Sequence, residues 1–334
     1  MYGPGLCRHN GLVHEVAGTC QKVIPEVAGD VDGLWIHSLR EVSASMGRLI
    51  ARLIAAQDGW TRPLGDFNKR WLGALFRPIR PVKDVLNGVW LGHPLHAAAT
   101  DIPIGTLLLT VILDLMGQKA AADIALVATI LFMLGAAVTG AADYSDTDGT
   151  ALVRATLHAT LMVVALLALL VSLAIRAGGG TDRTIPTVLS IIAFVIVLAG
   201  AYVGGDVVYL FGNMVSRHAF RGAGTKWVRL DTGDVTDLAT IPEATPTKAK
   251  AGVNELVLVR VANTIHALHA TCAHAGGPLA QGTFVDGCIE CPWHGSRFRL
   301  ANGQVRRGPA LYDQPAYEIR AAEGGGYEVR RAAS

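Results

Sequence analysis

Charge is scarce in this chain. Asp, Glu, Lys and Arg make up 17% of its 334 residues and leave a formal net charge of +2, too small a surplus to neutralise a phosphate backbone, so nucleic acid is not expected as a partner. A Gly-rich nucleotide loop, a Ser-His-Asp grouping and a nucleophile elbow are all missing, which removes the common NTPase and hydrolase readings. Met1 to Gln21 contains Gly, Pro and His but no apolar core, so no cleavable signal peptide is expected there. There are only five cysteines, and Cys7, Cys20 and Cys288 have no evident disulfide scheme, as suits a reducing compartment.

What the chain has instead is apolar length. About half of its residues are hydrophobic, and four stretches, Ala97 to Met116, Ala121 to Ala142, Ala155 to Ile175 and Ile185 to Leu210, each approach the ~20 residues a helix needs to cross hydrocarbon. Leu161 to Ile175 and Val188 to Val203 are apolar on nearly every face, which separates them from the amphipathic helices of a soluble core. The Gly200-Ala-Tyr-Val-Gly204 spacing lets the fourth helix approach a neighbour closely. Four crossings put both termini on one side. That side carries Arg77, Arg80, Lys83, Arg154, Arg217 and Arg221 against Lys119, Arg176 and Arg183 on the other, which predicts an inner, cytoplasmic membrane protein with cytoplasmic termini. Ahead of the first crossing, Leu39, Val42, Met46, Leu49, Ile50 and Leu53 recur at helical spacing, and Phe67, Trp71, Leu72 and Phe76 interleave with Lys69, Arg70 and Arg77. Such helices lie either on the lipid bilayer surface or as a hairpin on the protein's own cytoplasmic face. The expected organisation is an amphipathic region over 1–92, a four-helix transmembrane domain over 93–213, a linker over 214–237 and a C-terminal domain over 238–334.

The C-terminal domain carries the clearest chemistry. Cys272-Ala-His274 and Cys291-Pro-Trp-His294, separated by sixteen residues, deliver one thiolate and one imidazole on each of two loops. In a mixed-ligand [2Fe-2S] centre two thiolates hold one iron and two imidazoles the other, so each loop must serve both irons. Two Cys and two His also complete a tetrahedral zinc set, but zinc ligands usually come as like pairs at short spacing. His266 and His269 lie in a run that reads as a strand, as surface side chains, and Cys288 reads as a buried strand residue. With His274-Ala-Gly-Gly-Pro278, Pro292-Trp-His-Gly-Ser296, Arg307-Gly-Pro309 and Tyr317-Glu-Ile-Arg320, the stretch from about 255 to 331, within a domain of about 238–332, resembles the Rieske [2Fe-2S] ferredoxin family. The resemblance implies an all-β iron-sulfur domain that carries one electron at a time. It also implies that Gly277 and Trp293 stand where high-potential members have a cysteine pair. Ser296 keeps a hydroxyl that bonds cluster sulfur, and Phe298 replaces a tyrosine. A ferredoxin of low to intermediate potential follows, nearer the electron carriers of oxygenase systems.

Leu91-Gly-His-Pro-Leu-His96 and Thr100-Asp-Ile-Pro-Ile-Gly105, with Gly204-Gly-Asp-Val-Val-Tyr209, resemble a bacterial four-helix membrane-domain family of unassigned function over about 82–211. Helical rise puts His93, His96, His158 and Asp206 at one level, with Asp101 close by. Ionisable groups within membrane helices usually line a site, and paired imidazoles in a four-helix bundle can ligate b-type haem or take protons from a quinol. The alternative is hydrogen bonding alone, with His93 and His96 capping the helix start, Asp101 as its N-cap, and His158 satisfying one of the two histidines. Asp114, Asp123 and Asp182 read as solvated on the outer face, and Asp143, Asp146 and Asp148 as turn and cap residues of the inner loop. The fold expected is a membrane α-helical bundle plus an all-β domain. The function expected is a membrane-anchored relay of single electrons between a membrane redox partner and a soluble one. A quinol or b-type haem oxidoreductase and a redox sensor are the alternatives.

Overall fold

The computed structural model of the chain describes residues 46–218, 226–233, 235 and 237–332. It divides into two units, Met1–Ala56 and Gln57–Ser334. In the first, residues 46–55 form helix α1, with Met46, Leu49 and Leu53 exposed on it. Leu39 and Val42 of the expected stripe lie outside the described residues, as do Met1 to Gln21 with Cys7 and Cys20, and Arg221.

The second unit opens with α2 (Asp58–Phe76) and the short α3 (Arg80–Asn87), followed by α4 (Leu95–Leu115), α5 (Lys119–Tyr144), α6 (Gly149–Ala177) and α7 (Thr184–Gly205). The last four are the membrane-spanning bundle, with mean hydropathies of 1.6 to 2.5. Short connections after α4 and α6 make two antiparallel hairpins, α4 with α5 and α6 with α7. Leu107, Leu126 and Leu169 are fully buried between them, while Ile124, Leu131, Ile185 and Val195 stay more than half exposed on the outside. An outer surface this apolar suits hydrocarbon and would aggregate in water. The close approach expected of α7 is present: a Cβ at Gly200 would stand 2.1 Å from Met162 Cε on α6.

At the far end of the bundle the structure corrects an expectation. Asp114 and Asp123 are not simply solvated, because Arg176 in the last turn of α6 turns inward and needs neutralising. Its guanidinium bonds both Asp114 oxygens, at 2.8 and 2.5 Å, and Asp123 at 3.0 Å, with the Arg176 and Asp114 side chains each 1% exposed. Desolvated charges persist only when paired and hydrogen-bonded in this way. Asp182 is exposed as expected, its carboxylate accepting from Thr184 N at 2.8 Å.

At the near end, α2 packs along α6, close enough that a Cβ at Gly65 would meet Thr156 Oγ1 at 2.7 Å. Arg154 pairs with Asp58 at 2.6 Å. Trp60, Leu64, Phe67, Trp71 and Leu75 form the opposite, exposed stripe of α2. The helix therefore packs on the protein's own bundle, as one of the two readings expects, and keeps an exposed apolar face. Helix α3 is pinned to the loop after α5 by Lys83 on Asp146 at 2.6 Å and Asn87 on Asp143 at 2.7 Å, all four residues buried.

The C-terminal domain is all β. A six-stranded antiparallel sheet runs in the order β1 (Val228–Arg229), β10 (Tyr327–Arg331), β9 (Ala316–Ala321), β4 (Thr264–His269), β3 (Asn254–Val261), β2 (Thr247–Ala251). A four-stranded sheet runs β5 (Thr283–Val285), β6 (Cys288–Glu290), β7 (Arg297–Arg299), β8 (Val305–Arg307). Val257, Val259 and Leu268 of the large sheet share a core with Ile289 and Phe298 of the small one. Strands β9 and β10 form the terminal antiparallel hairpin, with Tyr327 opposite Ala321. Cys288 is buried in β6 as read. His269 is not a surface residue. It ends β4 at 1% exposure, its Nδ1 accepts from Thr271 N at 3.1 Å, and its ring lies 4.6 Å from that of His218.

Candidate metal centre

Two loops at one tip of the β domain repeat the same backbone pattern. Cys272 N donates to Gly277 O at 2.8 Å and Gly276 N to Cys272 O at 3.0 Å, while Cys291 N donates to Ser296 O at 2.9 Å and Gly295 N to Cys291 O at 3.1 Å. The closing residues Gly276 and Gly295 have φ of 85° and 75°, which a side chain would strain. Each turn points two N–H groups at its own sulfur, those of His274 and Ala275 at Cys272 and those of Trp293 and His294 at Cys291. The two sulfurs hydrogen-bond each other, and the His274 and His294 rings stand 4.9 Å apart at 90°.

This donor set fits a [2Fe-2S] centre of mixed ligation. The hydrogen bond from Cys272 and those from the turn amides pull the Cys291 thiol down to about 7, while the same bond and burial push Cys272 up, so Cys291 is the first of the pair to become thiolate. Burial, helped by His294 and Lys83, pushes His274 down to about 3 and keeps its imidazole neutral, the form that ligates metal. Gly277 leaves the space above: a Cβ there would lie 2.7 Å from Cys291 Sγ and 3.1 Å from Trp293 Cδ2. Gly277 and Trp293 therefore adjoin across the loops. Ser296 is fully buried and its Oγ accepts from Ala310 N at 3.0 Å. Phe298 is fully buried in the core that holds both cysteines.

The imidazole edge of this tip faces the rest of the chain. His294 Nε2 donates to Asp148 Oδ2 at 2.7 Å, and Asp148, between α5 and α6, is also paired with Lys69 of α2. Partial burial alone would raise the Asp148 carboxyl, but its bonds from Lys69 and His294 hold it below the usual carboxylate value. Arg80 Nη1 donates to His294 O at 3.2 Å, and the Gly308 backbone N–H bonds Asp84, so α3 is wedged between the bundle and the tip. Met214 and Val215, beyond α7, close over Ala273 and His274. Asp148 was read as a cap, yet it precedes α6 without a side-chain capping bond. No local spacing signals a partner 146 positions away.

The membrane histidines separate. His96 and His158 approach, with ring centroids 6.2 Å apart. His93 is exposed before α4, its Nδ1 3.2 Å from Pro94 O. Asp101 is exposed within α4 and does not cap it, because Pro94 already ends the preceding extended backbone and the helix begins at Leu95. Asp206 is half-buried where α7 passes into a π-helical turn, Asp206–Leu210.

Comparison with known proteins bears on both halves. The model of the Rieske [2Fe-2S] domain matches residues 231–318, and that of the predicted membrane protein family DUF2231 matches residues 92–217. Ferredoxin CarAc of Metapseudomonas resinovorans is 31% identical over 75 residues, 22% of this chain and 70% of that protein. The anthranilate 1,2-dioxygenase ferredoxin subunit of Burkholderia cepacia is 29% identical over 82 residues, 25% of this chain and 76% of that subunit. Apoptosis-inducing factor 3 of Mus musculus is 30% identical over 73 residues, 22% of this chain, and the chain spans only 12% of that relative's length.

Proposed function

Because this chain belongs to the Rieske [2Fe-2S] family through its C-terminal domain, we propose that it is a one-electron relay whose cluster is held against its own membrane bundle. The observation that carries this reading is the contact of the cluster's imidazole edge with the bundle: Asp148 on His294 Nε2, and Arg80 on His294 O. The cluster supplies single-electron chemistry when bound, taking up and releasing one electron at a time. Cys272 and Cys291 would hold one iron and His274 and His294 the other, as in the family. The surrounding residues do the rest. Turn amides stabilise the thiolates, Gly277 and Phe298 keep the centre dry, and Asp148 fixes the His294 ring and its Nε2 proton.

One electron partner is then in or at the bilayer, on the imidazole side. The other is a soluble protein reaching the outward side, where Trp293 is 57% exposed beside the second loop. The relatives that are ferredoxins of oxygenase systems support a soluble redox protein as that second partner. The basic residues near the inner helix ends favour the cytoplasm for the β domain, and the exposed stripe of α2 suits the surface of the inner leaflet.

Proteoliposomes carrying the full chain, reduced anaerobically and dried into oriented multilayers, should give a Rieske EPR spectrum that changes with the angle between membrane and field. Mixing the reduced vesicles with soluble cytochrome c should reoxidise the cluster, read as loss of its EPR signal. An angle-independent spectrum would defeat the docked geometry, and failure to reoxidise would defeat the relay.

A further inference from the structure

His96 on α4 and His158 on α6 come from different hairpins, and each reaches toward the second helix of its own. His96 Nδ1 lies 2.9 Å from Ala136 O of α5, and His158 Nδ1 lies 2.8 Å from Gly200 O of α7. A carbonyl oxygen only accepts, so both Nδ1 atoms carry the proton. In neutral imidazole Nε2 is then a bare acceptor. In an α-helix the N–H four positions on already bonds that carbonyl, and here those positions are Gly140 and Gly204. A Cβ at either would stand 2.9 Å from the histidine ring. The same device, a histidine on the first helix and a carbonyl with a glycine four positions later on the second, is therefore built into both hairpins.

The two devices meet. The rings are 6.2 Å apart at 79°, and among the described residues neither Nε2 has a hydrogen-bond donor. Both histidines are only half-buried, and each packs against a glycine on the neighbouring helix. The sequence at this level is small, with Ala97 to Ala99 beside His96 on α4, Ala155 and Ala159 beside His158 on α6, and Gly135 to Ala137 on α5. An unmet acceptor in an apolar medium costs roughly a few kcal/mol, and two of them near one point call for an electrophile. A bare divalent ion would be short of ligands here, since these two imidazoles are the only metal-ligating side chains the described residues bring together at this level. A porphyrin iron brings four nitrogens and needs only axial ligands. Two metal–imidazole bonds of about 2 Å, extended by half a ring at each end, give a centroid spacing of roughly 6 Å.

We propose that His96 and His158 are the axial ligands of one b-type haem, a second one-electron centre within the membrane bundle. The spacing of the two rings matches a single iron between them, and the paired glycines are what let each ring lie close enough to the neighbouring helix for its Nδ1 to reach the carbonyl. When the ferrous haem passes its electron to the oxidised [2Fe-2S] cluster, iron becomes ferric, the cluster is reduced by one electron, and no proton moves. That transfer rests on the Rieske reading; haem binding does not.

The test uses the full chain, produced with a haem precursor supplied and purified in detergent, with haem counted by pyridine haemochrome and the Rieske EPR signal recorded on the same sample. About one haem per chain with a low-spin spectrum is expected. His96→Ala and His158→Ala should each lose at least tenfold in haem content while the Rieske signal persists, and Gly204→Leu, which crowds His158, should lose haem without removing a ligand. The persisting Rieske signal shows that the variants fold. Haem-free wild-type protein with an intact Rieske signal, or both histidine variants binding haem like wild type, would overturn the proposal. Haem without a Rieske signal would uphold it and sink the reading of the cluster instead.

Discussion

The Nε2 atom of His294 donates to the carboxylate of Asp148 across 2.7 Å, joining a residue of the metal-binding tip to the loop between two membrane helices. A carboxylate on the outer nitrogen makes an imidazole a better electron donor to its metal and so favours the oxidised centre. Asp148→Asn should therefore raise the cluster midpoint by tens of mV, about 60 mV for each tenfold change in the relative stability of the oxidised form. An EPR-monitored redox titration reads this directly. An unchanged midpoint would mean that the contact is not made once the cluster is bound.

Ligand identity is tested by the cluster signal itself. Replacing Cys272, His274, Cys291 or His294 with Ala should abolish the Rieske EPR spectrum and the acid-labile sulfide. Stoichiometric zinc without sulfide in anaerobically prepared wild-type protein would restore the zinc reading of the four ligands.

Ser296 and Phe298 should move the midpoint in opposite directions. Ser296→Ala removes the buried hydroxyl that the family resemblance sets toward the cluster, and is expected to lower it. Phe298→Tyr introduces a donor into the same core and is expected to raise it. The tyrosine variant should also lose stability, roughly 1 to 3 kcal/mol if its hydroxyl finds no partner, which thermal unfolding would register.

The Lys83–Asp146 pair, with side chains 5% and 7% exposed, fastens α3 to the bundle. Lys83→Met leaves the Asp146 carboxylate buried alone and should cost about 3 to 5 kcal/mol. The double variant Lys83→Met with Asp146→Leu should recover much of that loss, since both buried charges are then gone. Equal destabilisation by the single and double variants would count against the pair as the cause.

Asp84 gives the pH dependence. Burial holds its carboxyl above the usual 3.8, and the Gly308 amide with Arg307, Arg80 and Lys83 offsets this only in part. The folded chain thus binds this proton more tightly than the unfolded one. Stability from this group is gained as pH falls through the raised value and lost as pH rises from 3.8 through it. Asp84→Asn should flatten that slope in thermal unfolding measured between about pH 4 and about pH 7. The same slope in both proteins would assign it to another group.

Local patterns were legible in the sequence and long-range pairings were not. Continuous apolar length announced α4 to α7, because a lipid-facing helix leaves no polar side to disguise it. The two Cys-x-His loops announced the metal-binding tip, because each turn is closed within a few residues by its own glycine. His96 and His158 were placed at one level by helical rise alone, and the rings do meet. His93 and Asp101 shared that level but are exposed, and Asp206 is half-buried in the turn after α7, so none of the three joins the pair. Asp148, Lys83 and Arg176 escaped because charge in a loop or helix end reads as solvated until a partner from a distant segment buries it. His269 was misread for the same reason: its cover comes from His218 and Gln314, which no spacing around β4 reveals.

The wedge of α3 has a kinetic meaning. A carrier domain free to swing on a tether samples many distances to its partner, and its transfer rate slows as the solvent thickens. Here Arg80 and Asp84 grip the metal-binding domain while Lys83 and Asn87 grip the bundle, so the tunnelling gap on the membrane side is set by the architecture. Electron passage across that gap should be indifferent to added glycerol. Any viscosity dependence of overall turnover would then arise at the opposite, outward face, where the soluble partner must dock and depart.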